Sequence, residues 1–318
     1  MAQSPLHTAV GLIKGGQVEE GLQLLRETAS SGDPEALFLL ADMTWSGNMM
    51  PQDPARGRLL FEYAASLGHT RANIVATNLL GNGIAGRRLW PAALERLEAY
   101  ARQLADRQSA LEVLKRMDLD ENGDPTTVPE ARILSDAPDV RIFEGLLTPD
   151  ECAYLIGVAE PLFRPSMVYE KAGRAVADTM RTSDGAAFHW LIEDPAIHAL
   201  NRRVAKATGT RFLQGEPLQV LRYSSGQEYR PHFDFLEGVE NPRPLTALIY
   251  LNEDYDGGAT AFVRTDLQVR GKTGDVIVFQ NGTADGLRDP LAEHAGQPVT
   301  RGRKYLATRW IRERRWIP

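Results

Sequence analysis

The chain has almost no cysteine and no long apolar run, and both shortages limit what it can be. Cys152 is the only cysteine among 318 residues, so no disulfide can form within the chain. This composition is typical of a reducing compartment, and we expect a cytoplasmic protein. No apolar stretch approaches the roughly 20 residues that a membrane-spanning helix needs. Residues 1–7 lack the basic start and apolar core of a signal peptide. We therefore expect no membrane partner.

The chain also lacks an overall excess of basic residues. Its formal net charge is -6 at pH 7, which gives no general case for nucleic-acid binding. Basic residues gather only near the C-terminus. Strand alternation would turn Arg303 and Arg309 outward there, so we interpret this stretch as a solvated rim, with binding of an acidic partner as the alternative. The length of 318 residues is sufficient for two domains.

The first third of the chain contains a repeated pattern. Gly32 recurs as Gly68, and Gly47 recurs as Gly83, with the same shift in both cases. The segments between these glycines carry apolar residues at helical spacing. A period in the thirties with paired helices is typical of a solenoid, and the pattern resembles Sel1-type and tetratricopeptide (TPR) repeats. We predict a helical-repeat domain over residues 1–115. It would provide either a docking surface for a protein partner or only a cap or dimerisation surface.

Residues 116–139 are polar and rich in turn-forming residues. The run from Asp118 to Gly123 imitates the start of a calcium loop, but the twelfth position is Pro129. Such a loop needs a bidentate glutamate at that position, so we do not assign calcium here. We interpret this stretch as a linker that precedes a second domain over residues 140–318.

The second domain contains short segments of aromatic and β-branched residues, separated by Gly, Asp and Asn. Many short strands with such turn signals favour a sandwich or jelly roll over a parallel sheet. The predicted strands are 218–223, 229–235, 245–251, 260–263, 275–279 and 304–311. The predicted fold class is therefore α+β, with an N-terminal α-helical-repeat domain and a C-terminal β-domain.

Three residues of this domain combine the ligand types of a non-haem iron centre. His232 and Asp234 flank Phe233 in a predicted strand, so both side chains lie on one face. His294 is the only histidine that follows them. Two imidazoles and one carboxylate form the facial triad that is typical of Fe(II) oxygenases. Taken alone, the His-X-Asp pair also fits a plain buried hydrogen bond.

Lys304 is the second unusual residue of this domain. In a strand it shares a face with Leu306, Thr308 and Trp310. Burying an ammonium group beside leucine and tryptophan is costly unless an anion accompanies it. A dicarboxylate cosubstrate would supply that anion.

The other reactive side chains have ordinary structural interpretations. Cys152 follows a capping box made by Thr148 and Glu151, and we interpret it as a buried helical thiol. We assign none of the remaining histidines to a metal. Surface or interhelical positions are expected for His7 and His69, and core packing for His189 and His198.

From about Arg181 to its end, the chain resembles the prolyl 4-hydroxylase branch of the 2-oxoglutarate- and Fe(II)-dependent dioxygenases. The matching motifs lie at residues 181–183, 218–235, 247–252, 257–260, 274–279, 294, 302–304 and 310–313. The family's usual Gly-Gly-Glu-Thr stands here as Gly257-Gly258-Ala259-Thr260, which keeps the threonine and removes a charge.

The resemblance implies a double-stranded β-helix (jelly roll) with Fe(II) and 2-oxoglutarate as cofactors and ascorbate as a possible reductant. It assigns His232, Asp234 and His294 to the metal. Lys304 would pair with the 5-carboxylate of 2-oxoglutarate. Tyr223 and Thr260 would be hydroxyl donors beside that carboxylate. Tyr229 and Trp310 would form the wall of the active site. Arg181 would lie in a mobile substrate loop over 180–187.

The reaction that the resemblance implies is hydroxylation of a protein substrate, with oxidative decarboxylation of 2-oxoglutarate to succinate and CO2. The expected target is a prolyl residue, and the helical repeats could help to select it. Two alternatives stay open. The enzyme could hydroxylate a free amino acid or another side chain, or the chain could be a catalytically silent binding scaffold. The sequence does not specify the oligomeric state.

Overall fold

The computed structural model of the chain describes residues 4–169, 175–177 and 179–316. They form two compact units. The helical unit comprises Met1–Tyr100 with Trp190–Pro195, and the β unit comprises Ala101–His189 with Ala196–Pro318. An N-terminal helical region followed by an antiparallel β-domain confirms the predicted fold class.

The helical unit is a series of helices of 10 to 13 residues joined by short turns. They are α1 (Pro5–Lys14), α2 (Val18–Ser30), α3 (Pro34–Ser46), α4 (Pro54–Ser66), α5 (Thr70–Asn82) and α6 (Trp90–Ala101). Each helix from α1 to α4 packs against the next one in sequence. Within the described part of the chain, no helix combines the length and apolar character that a bilayer crossing requires.

The predicted 36-residue period is visible in how the helices begin and end. Helices α2, α4 and α6 start at residues 18, 54 and 90, and α3 and α5 start at 34 and 70. The side chains of Asp33 and His69 cap α3 and α5 by accepting a hydrogen bond from the backbone three residues later. Gly47 and Gly83 end the same two helices in the left-handed conformation, with φ of 73° and 71°. The repeat is therefore a property of the fold, while its Sel1 or TPR identity stays a prediction.

Two buried asparagines of α5 hold the segment Trp190–Pro195 in the helical unit. Asn78 Nδ2 donates to the carbonyl of Leu191 at 2.8 Å, and Asn82 Nδ2 donates to the carbonyl of Trp190 at 2.9 Å. Buried peptide carbonyls are costly without a donor. These two side chains therefore let an irregular segment pack on a helix.

The described residues of the β unit include three α-helices and fifteen strands. The helices are α7 (Ala105–Leu114), α8 (Pro149–Ala159) and α9 (Pro195–Ala207). The strands are β1 (Arg132–Asp136), β2 (Asp139–Phe143), β3 (Arg164–Pro165), β4 (Met167–Tyr169), β5 (Ala175–Ala177), β6 (Asp184–Phe188), β7 (Leu218–Ser224), β8 (Tyr229–His232), β9 (Leu245–Tyr250), β10 (Tyr255–Gly257), β11 (Thr260–Phe262), β12 (Gln268–Val269), β13 (Val276–Gln280), β14 (His294–Gly296) and β15 (Val299–Ile311).

Two antiparallel sheets of this unit form the jelly roll. The major sheet has the order β1-β2-β13-β9-β15-β7-β6-β3, with β10 paired to β15, and the minor sheet has the order β12-β11-β14-β8. Their facing side chains make one core, in which the rings of Phe262 and Phe279 meet edge to face at 5.2 Å. Strands next to each other in space are far apart in sequence, so the fold brings distant motifs together.

The outer face of the major sheet is covered at Arg309, and this overturns one expectation. Arg309 does alternate away from Trp310, but it is only 2% exposed. Its guanidinium donates to the carbonyl of Phe212 at 3.0 Å and lies beside Gly215. The prediction that Arg309 is a solvated rim residue is wrong. The segment that contains Phe212 and Gly215 covers its guanidinium, and the carbonyl of Phe212 takes the place of water as its hydrogen-bond acceptor.

The stretch predicted as a linker, 116–139, is ordered within the β unit. It contains β1, and Lys206 of α9 donates to the carbonyls of Pro125 and Thr126 at 2.7 and 2.8 Å. The carboxylate of Asp120 accepts hydrogen bonds from two backbone amides of its own turn. The polar residues here serve internal hydrogen bonds, so this stretch is part of the β unit.

Candidate active site

Strand pairing explains how the three proposed ligand residues meet. His232 ends β8, His294 begins β14, and the two are direct partners in the antiparallel ladder. Asp234 follows β8 by two residues. One donor atom of each side chain lies within 4.8 Å of the others. Asp234 Oδ1 is 3.6 Å from His232 Nε2, and Asp234 Oδ2 is 3.7 Å from His294 Nε2.

The backbone fixes the tautomers of both imidazoles. His232 Nδ1 lies 2.8 Å from the carbonyl of Arg230, and His294 Nδ1 lies 3.0 Å from the carbonyl of Ala292. A carbonyl only accepts, so each Nδ1 carries a proton, and each ring turns its Nε2 toward Asp234. Two imidazole nitrogens and a carboxylate that converge on one point fit a bound cation.

The protonation states at neutral pH also suit a metal. Burial alone would raise the pKa of Asp234, but hydrogen bonding to His232 and attraction by the imidazoles outweigh it and hold this pKa well below its usual range. Burial lowers the pKa of His294 to about 4, despite the attraction of Asp234. The carboxylate is therefore ionised and His294 is neutral, which are the forms that coordinate metals.

The three side chains open into a cavity between the two sheets. The cavity is lined by Leu221, Tyr223, Tyr229, His232, Asp234, Leu248, Thr260, His294, Gly296, Lys304, Leu306, Thr308 and Trp310. The predicted face of β15 lines it in full, because Lys304, Leu306, Thr308 and Trp310 all belong to this set.

Lys304 is the cation of this cavity. It is 2% exposed, and its Nζ donates to the carbonyl of Gly258 at 2.7 Å. The Nζ lies 5.7 and 5.6 Å from the ring centroids of Tyr223 and Tyr250. Burial, and to a smaller degree the positive charge of Arg270, lowers the pKa of Lys304 to about 7. A carboxylate that entered the cavity would offset this cost of burial.

The two predicted hydroxyl donors lie near Lys304. Tyr223 is the cross-strand partner of Lys304, and burial raises the pKa of its phenol well above the usual range. Thr260 is 2% exposed, and its Oγ1 lies 3.0 Å from the hydroxyl of Tyr250. Tyr250 was not expected from the sequence to serve the site. Its place in an apolar strand gave no sign that its hydroxyl reaches Thr260.

The predicted wall residues surround the metal end. The ring of Tyr229 stacks on that of His232, with centroids 3.5 Å apart and planes at 14°. Trp310 is 8% exposed, and Cζ of the Arg243 guanidinium lies over its indole, 4.1 Å from the ring centroid. Arg181 does not line the cavity, but its guanidinium lies 5.6 Å from the ring centroid of Tyr229, and the two backbones form a bridge.

Two smaller expectations fail near this site. The segment 180–187 was expected to be a mobile loop, but β6 begins at residue 184 and pairs with β7. His198 is buried against the ring of Phe212 as expected, whereas His189 is exposed. It follows the end of β6, where alternation turns it away from the buried Phe188.

Comparisons with known proteins identify the family. Residues 218–312 match the 2OG-Fe(II) oxygenase superfamily. Prolyl 4-hydroxylase 1 of Arabidopsis thaliana is 32% identical over 202 residues, which cover 57% of this chain and 71% of that protein. The chain belongs to the prolyl 4-hydroxylase family. A second relative, the probable prolyl 4-hydroxylase 10 of the same plant, is 32% identical over 205 residues and 71% of its length. The 2OG complex of a viral collagen prolyl hydroxylase from Paramecium Bursaria Chlorella virus-1 is 26% identical, with a TM-score of 0.43 over 56% of this chain and 98% of that one.

The segment 257–260 resembles a motif of the prolyl 4-hydroxylase family and carries alanine at 259 where that motif has glutamate. The contact that Lys304 makes in this motif comes from the backbone carbonyl of Gly258. Gly258 has φ of +65°, and a Cβ there would lie 3.2 Å from Lys304 Cδ. The motif therefore needs its glycine, and the change at Ala259 leaves this backbone contact in place.

Proposed function

We propose that this chain is a 2-oxoglutarate- and Fe(II)-dependent dioxygenase that hydroxylates a prolyl residue of a protein substrate. The observation that carries the proposal is one cavity with a two-histidine, one-carboxylate cluster at one position and a buried lysine at another. Iron ligands and a carboxylate-binding cation in one water-poor cavity match the two needs of such an enzyme.

In this proposal His232, Asp234 and His294 hold the iron, and Lys304 holds the 5-carboxylate of 2-oxoglutarate with Tyr223 and Thr260 beside it. Bound Fe(II) and 2-oxoglutarate would supply the chemistry that activates O2 for insertion of one oxygen atom into a substrate C–H bond, with succinate and CO2 as the co-products. Ascorbate would serve as the reductant that keeps the iron in its Fe(II) state. Omitting ascorbate should then shorten the period of linear turnover.

The protein's own groups act by position and charge. The carbonyls of Arg230 and Ala292 hold the Nδ1 side of the two imidazoles, so that each ring would present its Nε2 to a metal. Leu221, Leu248 and Leu306 line the cavity between its polar ends and exclude water. We propose that Tyr229, Trp310 and Arg181 bound the substrate's side of the cavity.

The test is to incubate the protein with Fe(II), 2-oxoglutarate and a proteome and to search for peptides that gain the mass of one oxygen atom. Oxygen added to prolyl residues supports the proposal. Oxygen added to another residue or to a free amino acid would support the corresponding alternative hydroxylase. Neither succinate nor any oxidised product would support a silent scaffold.

We further propose that the protein substrate also contacts the helical unit. Leu59, Tyr63 and Leu67 are 65%, 50% and 41% exposed, and their spacing of four residues places them in a row along α4 and its end. Leu59→Ser with Tyr63→Ser should raise the KM for a protein target and leave the KM for a short peptide unchanged. Ile133→Ser, at an exposed apolar position of β1, is the matched control. A change in oligomeric state with unaltered KM would instead indicate a dimerisation surface.

A cytoplasmic location stays part of the proposal. Its support is the single cysteine, which is buried in α8 and serves no disulfide. Fractionation of cells that produce the full-length protein would test it.

A further inference from the structure

A buried chain of hydrogen bonds leads from the proposed iron ligand Asp234 into the major sheet. The hydroxyl of Thr246 lies 2.7 Å from Asp234 Oδ2, and Asn281 Nδ2 lies 2.8 Å from the same hydroxyl oxygen. The three side chains are 5%, 0% and 1% exposed. Such a chain cannot exchange its partners for water without opening the core.

The direction of each hydrogen bond follows from the chemistry of the groups. The hydroxyl of Thr246 donates its single proton to Asp234 Oδ2. The oxygen of Thr246 must then accept, which requires the amide nitrogen of Asn281 and excludes its flipped orientation. The chain runs in one direction, from Asn281 through Thr246 to Asp234.

Asn281 and Thr246 are themselves held by the backbone. The backbone N–H of Asn281 donates to the carbonyl of Pro244 at 2.7 Å, and the backbone carbonyl of Asn281 accepts from the backbone N–H of Asp289 at 3.0 Å. Thr246 lies inside β9, where it pairs with Phe279 of β13 on one side and with Trp310 of β15 on the other. Both members of the chain therefore have fixed positions from which to orient the carboxylate.

The consequence concerns the two carboxylate oxygens. Oδ2 accepts a hydrogen bond from Thr246 at 2.7 Å, whereas Oδ1 lies 3.6 Å from His232 Nε2. A carboxylate that binds a metal through one oxygen leaves one more coordination position open than a bidentate carboxylate does. An iron oxygenase needs its open positions for cosubstrate and O2.

We propose that Thr246 and Asn281 are positioning residues that fix the Asp234 carboxylate so that a single oxygen serves the iron. This inference rests on the proposed function. Thr246 acts directly on the carboxylate, and Asn281 acts only through Thr246. The two residues should consequently contribute in series rather than independently.

The test uses Co(II) as the metal probe and measures its dissociation constant and its visible absorption on the full chain. Thr246→Val keeps the side-chain shape and removes the hydroxyl. It should weaken Co(II) binding by about 10- to 100-fold, as loss of a ligand's hydrogen-bond partner does, and should change the visible spectrum. Thr246→Ser keeps the hydroxyl and should restore both. Thr77→Val, a buried threonine whose hydroxyl serves only Asn73 of its own helix, is the matched control.

Asn281→Leu should weaken Co(II) binding by several-fold, and combining it with Thr246→Val should add no further loss, because the two act in series. Losses that multiply in the double variant would overturn the proposal, as would native Co(II) binding by a folded Thr246→Val chain. If Thr246→Val does not fold, native binding by Asn281→Leu overturns it.

A separate arm distinguishes this inference from the proposed function. Asp234→Ala should lose Co(II) binding. If it binds Co(II) like the unmodified chain, the metal assignment itself fails. If it loses Co(II) while Thr246→Val retains it, only the role of Thr246 and Asn281 fails.

Discussion

Lys304 offers the most direct test of how the cavity would recognise its cosubstrate. Its ammonium is 2% exposed and has one polar contact shorter than 3 Å, to the carbonyl of Gly258. In the proposed complex it gains a charge-assisted hydrogen bond to the 5-carboxylate, worth about 1.5–3 kcal/mol. Lys304→Ala should therefore raise the KM for 2-oxoglutarate by roughly 10- to 100-fold, measured by succinate formation.

The neighbouring residue provides the matched control for this substitution. Arg303 is exposed and faces away from the cavity on the same strand, so Arg303→Ala should leave the KM for 2-oxoglutarate within about twofold. An unchanged KM in Lys304→Ala, or an equal rise in both variants, would show that Lys304 does not hold the carboxylate.

The lowered pKa of Lys304 predicts a pH dependence with a definite sign. Because burial brings this pKa to about 7, the amine is charged below pH 7 and increasingly neutral above it. Binding of a carboxylate favours the charged form of Lys304, so above pH 7 the amine must take up a proton when 2-oxoglutarate binds. The KM for 2-oxoglutarate should rise about fivefold from pH 7 to pH 8, and Lys304→Ala should lose this rise. A KM that falls over this interval would contradict the assignment.

Four further substitutions test the site and the fold. Asp234→Ala should abolish succinate formation while the melting temperature of the chain changes by only a few degrees. Gly215→Ala should destabilise the β unit by about 1–3 kcal/mol in chemical unfolding, because the new Cβ would lie 2.2 Å from Arg309 Nε. Gly68 and Gly83 both have positive φ, but a Cβ meets nothing at Gly68 and lies 2.8 Å from Arg88 Cβ at Gly83, so Gly83→Ala should cost more stability than Gly68→Ala. The reverse order would mean that strain in the backbone alone decides.

The parts of the site that the sequence predicted are those set by strand periodicity. Alternation placed Lys304, Leu306, Thr308 and Trp310 on one face of a strand, and all four line the cavity. The same rule placed His232 and Asp234 together, but it could not show that β14 pairs with β8. The position of His294 opposite His232 comes from that pairing.

What the sequence did not reveal depends on neighbours that are distant along the chain. Thr246 lies in β9 and Asn281 directly follows β13, and each looks like an ordinary polar residue beside an apolar run. Arg309 alternated outward as expected, yet only the fold places Phe212 over that face. Residues 116–139 have the composition of an exposed linker. Composition does not record that α9 supplies the donor for their carbonyls.

The register of β9 connects the two ends of the proposed site. Thr246, Leu248 and Tyr250 share its inner face. Thr246 serves Asp234, Leu248 lines the cavity, and the hydroxyl of Tyr250 reaches Thr260. Four residues of a strand span about 13 Å, so this one strand carries hydrogen-bonding groups for both the metal end and the cosubstrate end.

The register of β15 is fixed on both of its edges. It pairs with β7 from Arg303 to Thr308 and with β9 from Leu306 to Ile311. A slip of one residue would reverse every side chain and would put Tyr305 in the cavity in place of Lys304. Such a slip would have to break both ladders at once. The double pairing therefore holds Lys304 opposite Tyr223 and Trp310 opposite Thr246.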